Sequence, residues 1–408
     1  VAAATTDQLR RLNTARVLRS LRESGPASRA ALAQRTGLAK ATVGTIIAEL
    51  HRLGAVQERP HGSPVPTSRT TTGRPGRPVS LDGAATVGLG LEVNVEYVAA
   101  TALDLAGRTV LSRQVPTRAG HELGALSELA QRCWRQLADE DRRLVGIGVA
   151  VPGLVDRSRG VVVAAPNLGW HGLNLAEAVA AAVGGSSRVS VDNDANCSAL
   201  AEATFGVARG VDQVLYLTGT VGLGAGLVVD GVVQRGSNGF GGEVGHLPVG
   251  GSTRRCACGR RGCWETTVGL RAMLRATHST ATGDPVDLAT DIARLAKTDT
   301  AVRAAVRELA GWLGTGILTL AGVLDPAMVV LGGYFVPLGP LVVPVVERSL
   351  RRGLLAADSR RCTVALSTLG LHAASTGAAA DVLAEVFDGT LTLNERVGLT
   401  VDVADCLG

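Results

Sequence analysis

Three cysteines and one histidine fall close enough together to hold a metal ion. Cys256, Cys258 and Cys263 follow His246 in the spacing H-x9-C-x-C-x4-C. Three thiolates and an imidazole make up the tetrahedral set that zinc prefers, and Gly259 and Gly262 let the chain fold tightly around it. With four protein ligands no position is left open for a reacting group, so the expected Zn2+ is structural rather than catalytic. Arg254, Arg255, Arg260 and Arg261 crowd the same loop and are expected to help keep the thiols ionised. A C-x-C disulfide is geometrically awkward, and a reduced cytoplasmic chain would not keep one.

Carboxylates supply the second kind of chemistry. Asp192-Asn193-Asp194-Ala195-Asn196 runs from the end of an apolar strand into a helix, the place where open α/β sheets put their ligands. A plain helix cap at Asp194 is the competing explanation. Glu243, in Gly242-Glu243-Val244-Gly245-His246, stands one turn from a metal ligand, and Glu265 follows Cys263 by two residues. A metal at His246 would pin Glu243 and Glu265 against one pocket. Several acceptors converging on one small volume suit a polyhydroxylated ligand.

These side chains need a scaffold, and 408 residues provide for two or three domains. A composition of 46% hydrophobic and 19% charged residues excludes bulk disorder, and 52 glycines without a Gly-X-Y period exclude collagen. The most apolar stretch, 312–346, is broken by Asp325-Pro326 and further prolines, and the first residues carry charge. A soluble, cytoplasmic protein with no membrane partner is therefore expected. The net charge of +5 is unevenly spread: residues 1–80 hold thirteen Arg and Lys against four Asp and Glu, a net of +9, which leaves −4 for the remainder. A basic first fifth on an acidic body implies a polyanion-binding module attached to a domain with another task.

The basic segment has helical periodicity. Leu9, Leu12, Ala15, Leu18 and Leu21 mark a first helix ended by Gly25-Pro26; Ser28 caps a second over 29–35. Val43, Ile46, Ile47, Leu50 and Leu53 line one face of a third, stopped by Gly54. The Thr36-Gly37-Leu38 link has the length of a helix-turn-helix corner. Lys40, Thr42, Thr45, Glu49 and Arg52 fall on the outer face of the third helix, where Ala41 and Gly44 keep the surface low enough to enter a major groove. Operator DNA is thus the expected partner, with Arg29 near the start of the second helix joining the contacts. Residues 59–82 read as a wing or linker. Their repeat Gly73-Arg74-Pro75-Gly76-Arg77-Pro78 is either a basic linker or a minor-groove hook carrying Arg74 and Arg77.

Beyond residue 86 apolar strands alternate with helices. Strands are expected over 87–92, 97–103, 109–115, 144–151, 189–191, 213–217, 226–229 and 328–331. Helices are expected over 123–138, 195–205, 269–277, 287–296, 301–324, 340–350 and 373–387. Such alternation over some 300 residues predicts an α/β body in two lobes.

Seven stretches carry a family resemblance: SRAALAQRTGLAKATVGTIIAEL, GVAVPGLVD, APNLGW, VDNDANCSALAEATFG, GLGAGLVVDG, GEVGH and CACGRRGCWE. The chain resembles the ROK (repressor, open reading frame, kinase) family over nearly its whole length, GEVGH with the cysteine run being the most specific part. The resemblance implies an N-terminal winged helix-turn-helix (1–58), then a two-lobed actin/hexokinase-like ATPase fold (83–388) whose C-terminal helix returns to the first lobe. Residues 389–408 stay unassigned. It also implies a structural zinc and a sugar pocket formed by Asn193, Asp194, Glu243, His246 and Glu265, with Asn167 and Gly153 nearby. Kinases of the family use the acid matching Asp194 as base, and carry a Gly-Gly-Thr phosphate loop where this chain reads Glu92-Val93-Asn94. Glu92 near a nucleotide would repel phosphate, and Thr220-Val221 displaces a second hydroxyl; GLGAG at 222–226 keeps part of a second phosphate loop and Gly332-Gly333 resembles an adenosine-loop pair. The expectation is a non-enzymatic, sugar-responsive transcriptional regulator of the repressor type, a homodimer or homotetramer, that binds a hexose or amino sugar. The alternative is an ATP-dependent sugar kinase with a DNA-binding head; a zinc sensor fits less well because the metal site is closed.

Overall fold

The computed structural model describes residues 5–58, 77–83, 85–185, 187–220, 222–249, 252–355, 362–391 and 393. The N-terminal head is built from α1 (Thr6–Ser24), α2 (Arg29–Thr36) and α3 (Lys40–Arg52), followed by β1 (Val56–Glu58) and β2 (Val79–Leu81). Thr5 and Gln8 close a capping box at the start of α1, Ser28 accepts from the Ala31 amide to start α2, and Gly37 ends α2 at φ 69°. Leu18, Leu32, Val43, Ile47 and Leu50 are fully buried where the three helices meet. β1 pairs antiparallel with β2, and Val79 also bridges Ala27, so the end of the segment expected as wing or linker is a strand of the head. Residues 59–76, Arg74 among them, lie outside the described residues; Arg77 is exposed.

On α3, Lys40, Ala41, Thr45 and Arg52 are exposed and Thr42 is half-buried. Two neighbours depart from expectation. Glu49 turns back to Arg10 of α1 at 2.6 Å, so it braces the head instead of facing DNA. Arg29 is exposed but pairs with Glu58 at 2.6 Å, tying α2 to β1.

The body contains two five-stranded sheets with the same winding. In the first, β3 (Thr86–Val93), β4 (Tyr97–Asp104) and β5 (Thr109–Pro116) form an antiparallel meander. After α4 (Glu122–Asp139), β6 (Arg143–Val151) adds parallel to β3, and β10 (Val189–Asn193) parallel to β6. The second repeats this with the meander β11 (Gln213–Gly219), β12 (Leu223–Val229) and β13 (Val232–Val233), then β14 (Met328–Gly333) parallel to β11 and β15 (Thr363–Leu366) parallel to β14. Strands buried on both faces need near-continuous apolar runs, which is why β3, β4 and β6 were legible. The sequence reading missed a small antiparallel sheet of β7 (Leu154–Asp156), β8 (Val161–Ala165) and β9 (Trp170–Asn174), the helix α5 (Leu175–Ala182) after it, and β15.

Helix α6 (Asp194–Thr204) leaves β10 and packs on β12. The second lobe is completed by α7 (Glu265–Val268), α8 (Leu270–Ala276), α9 (Pro285–Leu295), α10 (Thr300–Leu324) and α11 (Gly339–Gly353). The last helix, α12 (Ala373–Asp388), returns to lie across β3, β6 and α6. Backbone meets backbone there: a methyl group on Gly90 would overlap the Ser375 carbonyl, on Gly148 the Ala378 carbonyl, and on Gly377 the Cys197 carbonyl. The end of α12 also joins the head, since Leu18, Leu50, Val386, Phe387, Leu391 and Leu393 share one apolar cluster. Arg19 donates to the Phe387 carbonyl at 3.1 Å, and the Arg22 guanidinium stacks 4.6 Å over the Phe387 ring. Leu391 and Leu393, in the unassigned extension, thus belong to the joint between head and body.

Candidate functional site

Asn193, not Asp194, is the cap of α6. Its side-chain oxygen accepts from the amides of Ala195 (2.9 Å) and Asn196 (3.2 Å), while its Nδ2 donates to the Gly153 carbonyl at 3.1 Å. Capping therefore explains Asn193 and leaves Asp194, the first residue of the helix, to be explained otherwise. The Asp194 carboxylate accepts from the Ala195 amide at 2.9 Å. Burial pushes its pKa up to about 6 against that hydrogen bond, and the charge of Glu243 adds to the rise. Glu243 is itself raised by burial and by Glu265, with His246 opposing.

A cleft of about 320 Å³ between the lobes is lined by Gly153, Asn167, Asn193, Asp194, Glu243, His246 and Glu265 together. All seven residues expected at a sugar site therefore share one wall. The size is at the lower end of small-molecule pockets, and the lining is rich in acceptors. Asn94, Thr218 and Thr220 line it too.

Behind the cleft lies a charged clasp that the sequence reading missed. Asp192 Oδ1 accepts from the Asn193 amide (2.8 Å) and from Asn196 Nδ2 (3.3 Å), so it holds the start of α6 from below. Its Oδ2 accepts from Arg157 of the first lobe (3.1 Å) and Arg235 of the second (2.7 Å). Both arginines also reach Asp381 on α12, at 2.7 and 3.4 Å. Nothing local marks the four as a set, since Asp192 is 35 and Asp381 is 224 residues from Arg157.

The ligand atoms of His246, Cys256, Cys258 and Cys263 all lie within 4.8 Å of one another, a set that could hold a metal ion. Cys256 Sγ is 3.6 Å from His246 Nδ1, and Cys258 Sγ is 3.6 Å from Cys263 Sγ. Thiolates bound at 2.3 Å around a tetrahedral ion stand about 3.8 Å apart, so the spacing and the donor types fit zinc. Burial opposes ionisation of Cys258, but hydrogen bonds from the Arg260 amide and side chain and from the other two cysteines bring it down to about 6. Of the four loop arginines, Arg260 serves the thiols as expected. Arg261 donates to the Thr253 carbonyl at 2.9 Å, and Arg254 and Arg255 line a neighbouring cavity instead.

The phosphate side of the site also departs from expectation. Glu92 is buried and accepts from the Tyr97 hydroxyl at 2.7 Å; it does not line the cleft. Burial pushes its carboxyl up to about 8, with Tyr97 opposing and Asp194 adding to the rise. It is therefore mostly neutral near pH 7 and does not repel an anion as a charge. Gly226 gives room for α6 against β12, and Gly332 gives room for the Tyr216 hydroxyl, so both glycines have packing reasons. Between β3 and β4 the tight turn Asn94-Val95-Glu96 is closed by the Asn94 amide on the Tyr97 carbonyl (2.8 Å) and contains no glycine.

Glu92 sets a pH dependence. Its folded pKa lies above the unfolded value of about 4.3, so between these values the folded state keeps a proton that the unfolded chain releases. Stability then falls as pH rises through that window, by up to about 5 kcal/mol above pH 8. Glu92→Gln is expected to flatten the loss in urea unfolding between pH 5.5 and 8.5; an unchanged slope would contradict the assignment.

The family model described as ROK family matches residues 88–385, and that of the IclR helix-turn-helix domain matches residues 12–60. A xylose repressor of Caldicellulosiruptor bescii is 28% identical over 396 residues, covering 93% of this chain and 97% of the relative. A glucokinase of Streptomyces coelicolor is 30% identical over 310 residues, covering 71% of this chain and 96% of the relative. Among solved structures, a ROK family transcriptional regulator, a homologue of the E. coli MLC protein, superposes with a TM-score of 0.78 at 24% identity, over 96% of this chain and 99% of that one.

Proposed function

The chain belongs to the ROK family, and on that premise we propose that it is a DNA-binding repressor released by a sugar. The carrying observation is the presence in one chain of a helix-turn-helix head and a cleft rich in acceptors, joined by α12. The full-length relatives named repressor share this span, whereas the glucokinase covers 71% of it.

In this reading the carboxylates of Asp194, Glu243 and Glu265 accept hydroxyl hydrogens of a hexose or amino sugar, and Asn193, fixed by its capping bonds, adds an amide. Zn2+ held by His246, Cys256, Cys258 and Cys263 would fix the loop against the cleft wall and supply no chemistry. His246 turns Nδ1 towards Cys256 and Nε2 towards Glu243, 3.7 Å away, so one ring serves both the metal set and the sugar wall. Phosphoryl transfer is not part of the proposal, because the β3–β4 turn offers no glycine cradle for phosphate. The lobes close on the sugar, the clasp at Asp192 and Asp381 carries the change to α12, and α12 shifts the head. Such coupling requires the sugar to bind the two conformations with different affinity. A homodimer or homotetramer would set two heads on half-sites one helical turn apart.

The test begins with DNA selected from a random pool by the purified chain. A sugar that raises the thermal midpoint should weaken operator binding at least tenfold; no response to any aldose or amino sugar would sink the proposal. Lys40→Ala should weaken binding to all sequences alike and reduce the salt slope by about 1, while Thr45→Ala should alter preference among sequences. A sequence-selective loss with Lys40→Ala would remove α3 from the role given to it.

A further inference from the structure

One buried donor on the cleft wall has nothing to donate to. Asn94, in the turn between β3 and β4, is 5% exposed and lines the same cleft as Asp194, Glu243 and Glu265. Its Oδ1 accepts from the Val95 amide at 2.7 Å. A backbone amide can only donate, so the atom facing it is the oxygen, and Nδ2 is turned away from the turn. Among the described residues no acceptor meets Nδ2, and it keeps access to solvent on the side where Asn94 lines the cleft. The turn is complete without it. The Asn94 amide donates to the Tyr97 carbonyl and the Thr117 amide to the Glu96 carbonyl, both at 2.8 Å, while the Tyr97 hydroxyl holds Glu92 at 2.7 Å. The side chain is thus fixed at its oxygen and presents a free amide hydrogen to the cleft. A donor so deeply buried is costly without an acceptor, and a ligand oxygen placed there removes the cost.

We propose that Asn94 determines which sugar the cleft accepts: Nδ2 donates to one hydroxyl oxygen of the ligand and makes that hydroxyl a condition of binding. The inference rests on reading the cleft as a sugar site. Asp194, Glu243 and Glu265 take hydrogens from hydroxyls and, when ionised, have none to give. Asn193 spends its oxygen on the cap of α6 and an amide hydrogen on the Gly153 carbonyl. A hydroxyl that accepts from Asn94 keeps its own hydrogen for a carboxylate on the same wall, so both of its hydrogen-bonding directions are used. A deoxy carbon in its place would leave Nδ2 buried and unpaired, and an epimer would aim its oxygen elsewhere. Sites built to pair a hydroxyl reject the analogue lacking it far more sharply than apolar contacts do.

The test uses the full chain and titrates a panel of aldopentoses, aldohexoses and amino sugars, then each monodeoxy form of the tightest binder. One deoxy form should bind the wild type about tenfold more weakly than its parent, or worse. Asn94→Ser keeps an oxygen for the Val95 amide but removes Nδ2. It should weaken the parent sugar by about the same factor and bind that deoxy form as tightly as the parent, with operator affinity unchanged. Asn94→Asp keeps the shape and offers a lone pair where the hydrogen was, so it should weaken the parent at least as much. Equal binding of every deoxy form to the wild type would overturn the inference, and that measurement needs no variant. A variant that weakens the parent and all deoxy forms by one common factor would also overturn it, by confining Asn94 to support of the turn. So would unchanged sugar affinity in both variants. These outcomes leave the sugar cleft standing, whereas no binding of any sugar to the wild type would sink the cleft reading and the inference together.

Discussion

Cys263→Ser is expected to abolish metal binding and the sugar response together while operator affinity stays within about twofold. Cys263 is buried, and the next two residues point to different places. Trp264 is fully buried, donates from Nε1 to the Trp312 carbonyl at 3.1 Å, and has its ring against Gly316 of α10; Glu265 reaches the cleft. The candidate metal set, the lobe core and the cleft wall thus take three successive residues. A structural zinc site contributes about 10 kcal/mol or more to local folding, far more than the loop between Leu247 and Gly262 could recover from its few buried side chains. Metal analysis should fall from one zinc per chain to none, and the sugar-induced thermal shift should disappear. Glu243→Ala and Asp194→Ala should lose the same shift but keep the zinc. The apolar cluster of the head, shared with α12, is separate from the cluster that holds Trp264, which is why operator affinity should survive. A sugar response that persists in Cys263→Ser would remove the metal from the sugar wall. Reversible loss of operator binding on chelation, with no sugar present, would instead favour a zinc sensor.

What the sequence disclosed depended on how local the cause was. The metal set lies within eighteen residues and the Asn193–Asp194 pair at one strand end, so spacing alone found both. Long apolar strands such as β6 announced themselves, whereas β7, β8 and β9 are three to five residues long and partly exposed, with little alternation to read. Glu92 was misread because its type was visible and its burial was not: desolvation, a property of the packed sheet and α12, turns an expected repelling charge into a mostly neutral acid. The arginines of the metal loop were misread for a similar reason. Four guanidiniums in one stretch looked equivalent, but only Arg260 hydrogen-bonds a thiol, while Arg254 and Arg255 join Arg271 and Arg275 from a later helix. The clasp was out of reach altogether, because its members come together only when both lobes and α12 are in place.

That clasp yields the last expectation: Asp381→Ala should uncouple the two ends of the molecule. Arg157 and Arg235 would lose one of their two carboxylates and face each other across Asp192 alone. Breaking a buried ion pair costs 3–5 kcal/mol; since the arginines remain 31% and 23% exposed, about 1–3 kcal/mol is the appropriate scale here. The larger effect should be on coupling. Close packing at Gly90, Gly148 and Gly377 leaves α12 little freedom to bend, so a displacement at Asp381 must pass along it to Phe387, less than two turns on, where Arg19 and Arg22 hold the head. Without Asp381, the lobes can close on sugar without drawing α12 with them. The variant should bind sugar within threefold of the wild type and operator DNA normally, yet lose at least tenfold of the sugar effect on DNA. Asp381→Asn, which keeps one acceptor, should restore part of it. Sugar affinity falling in step with the DNA response would show that Asp381 supports the cleft and nothing beyond it. A full response in Asp381→Ala would mean that the signal reaches the head by another path.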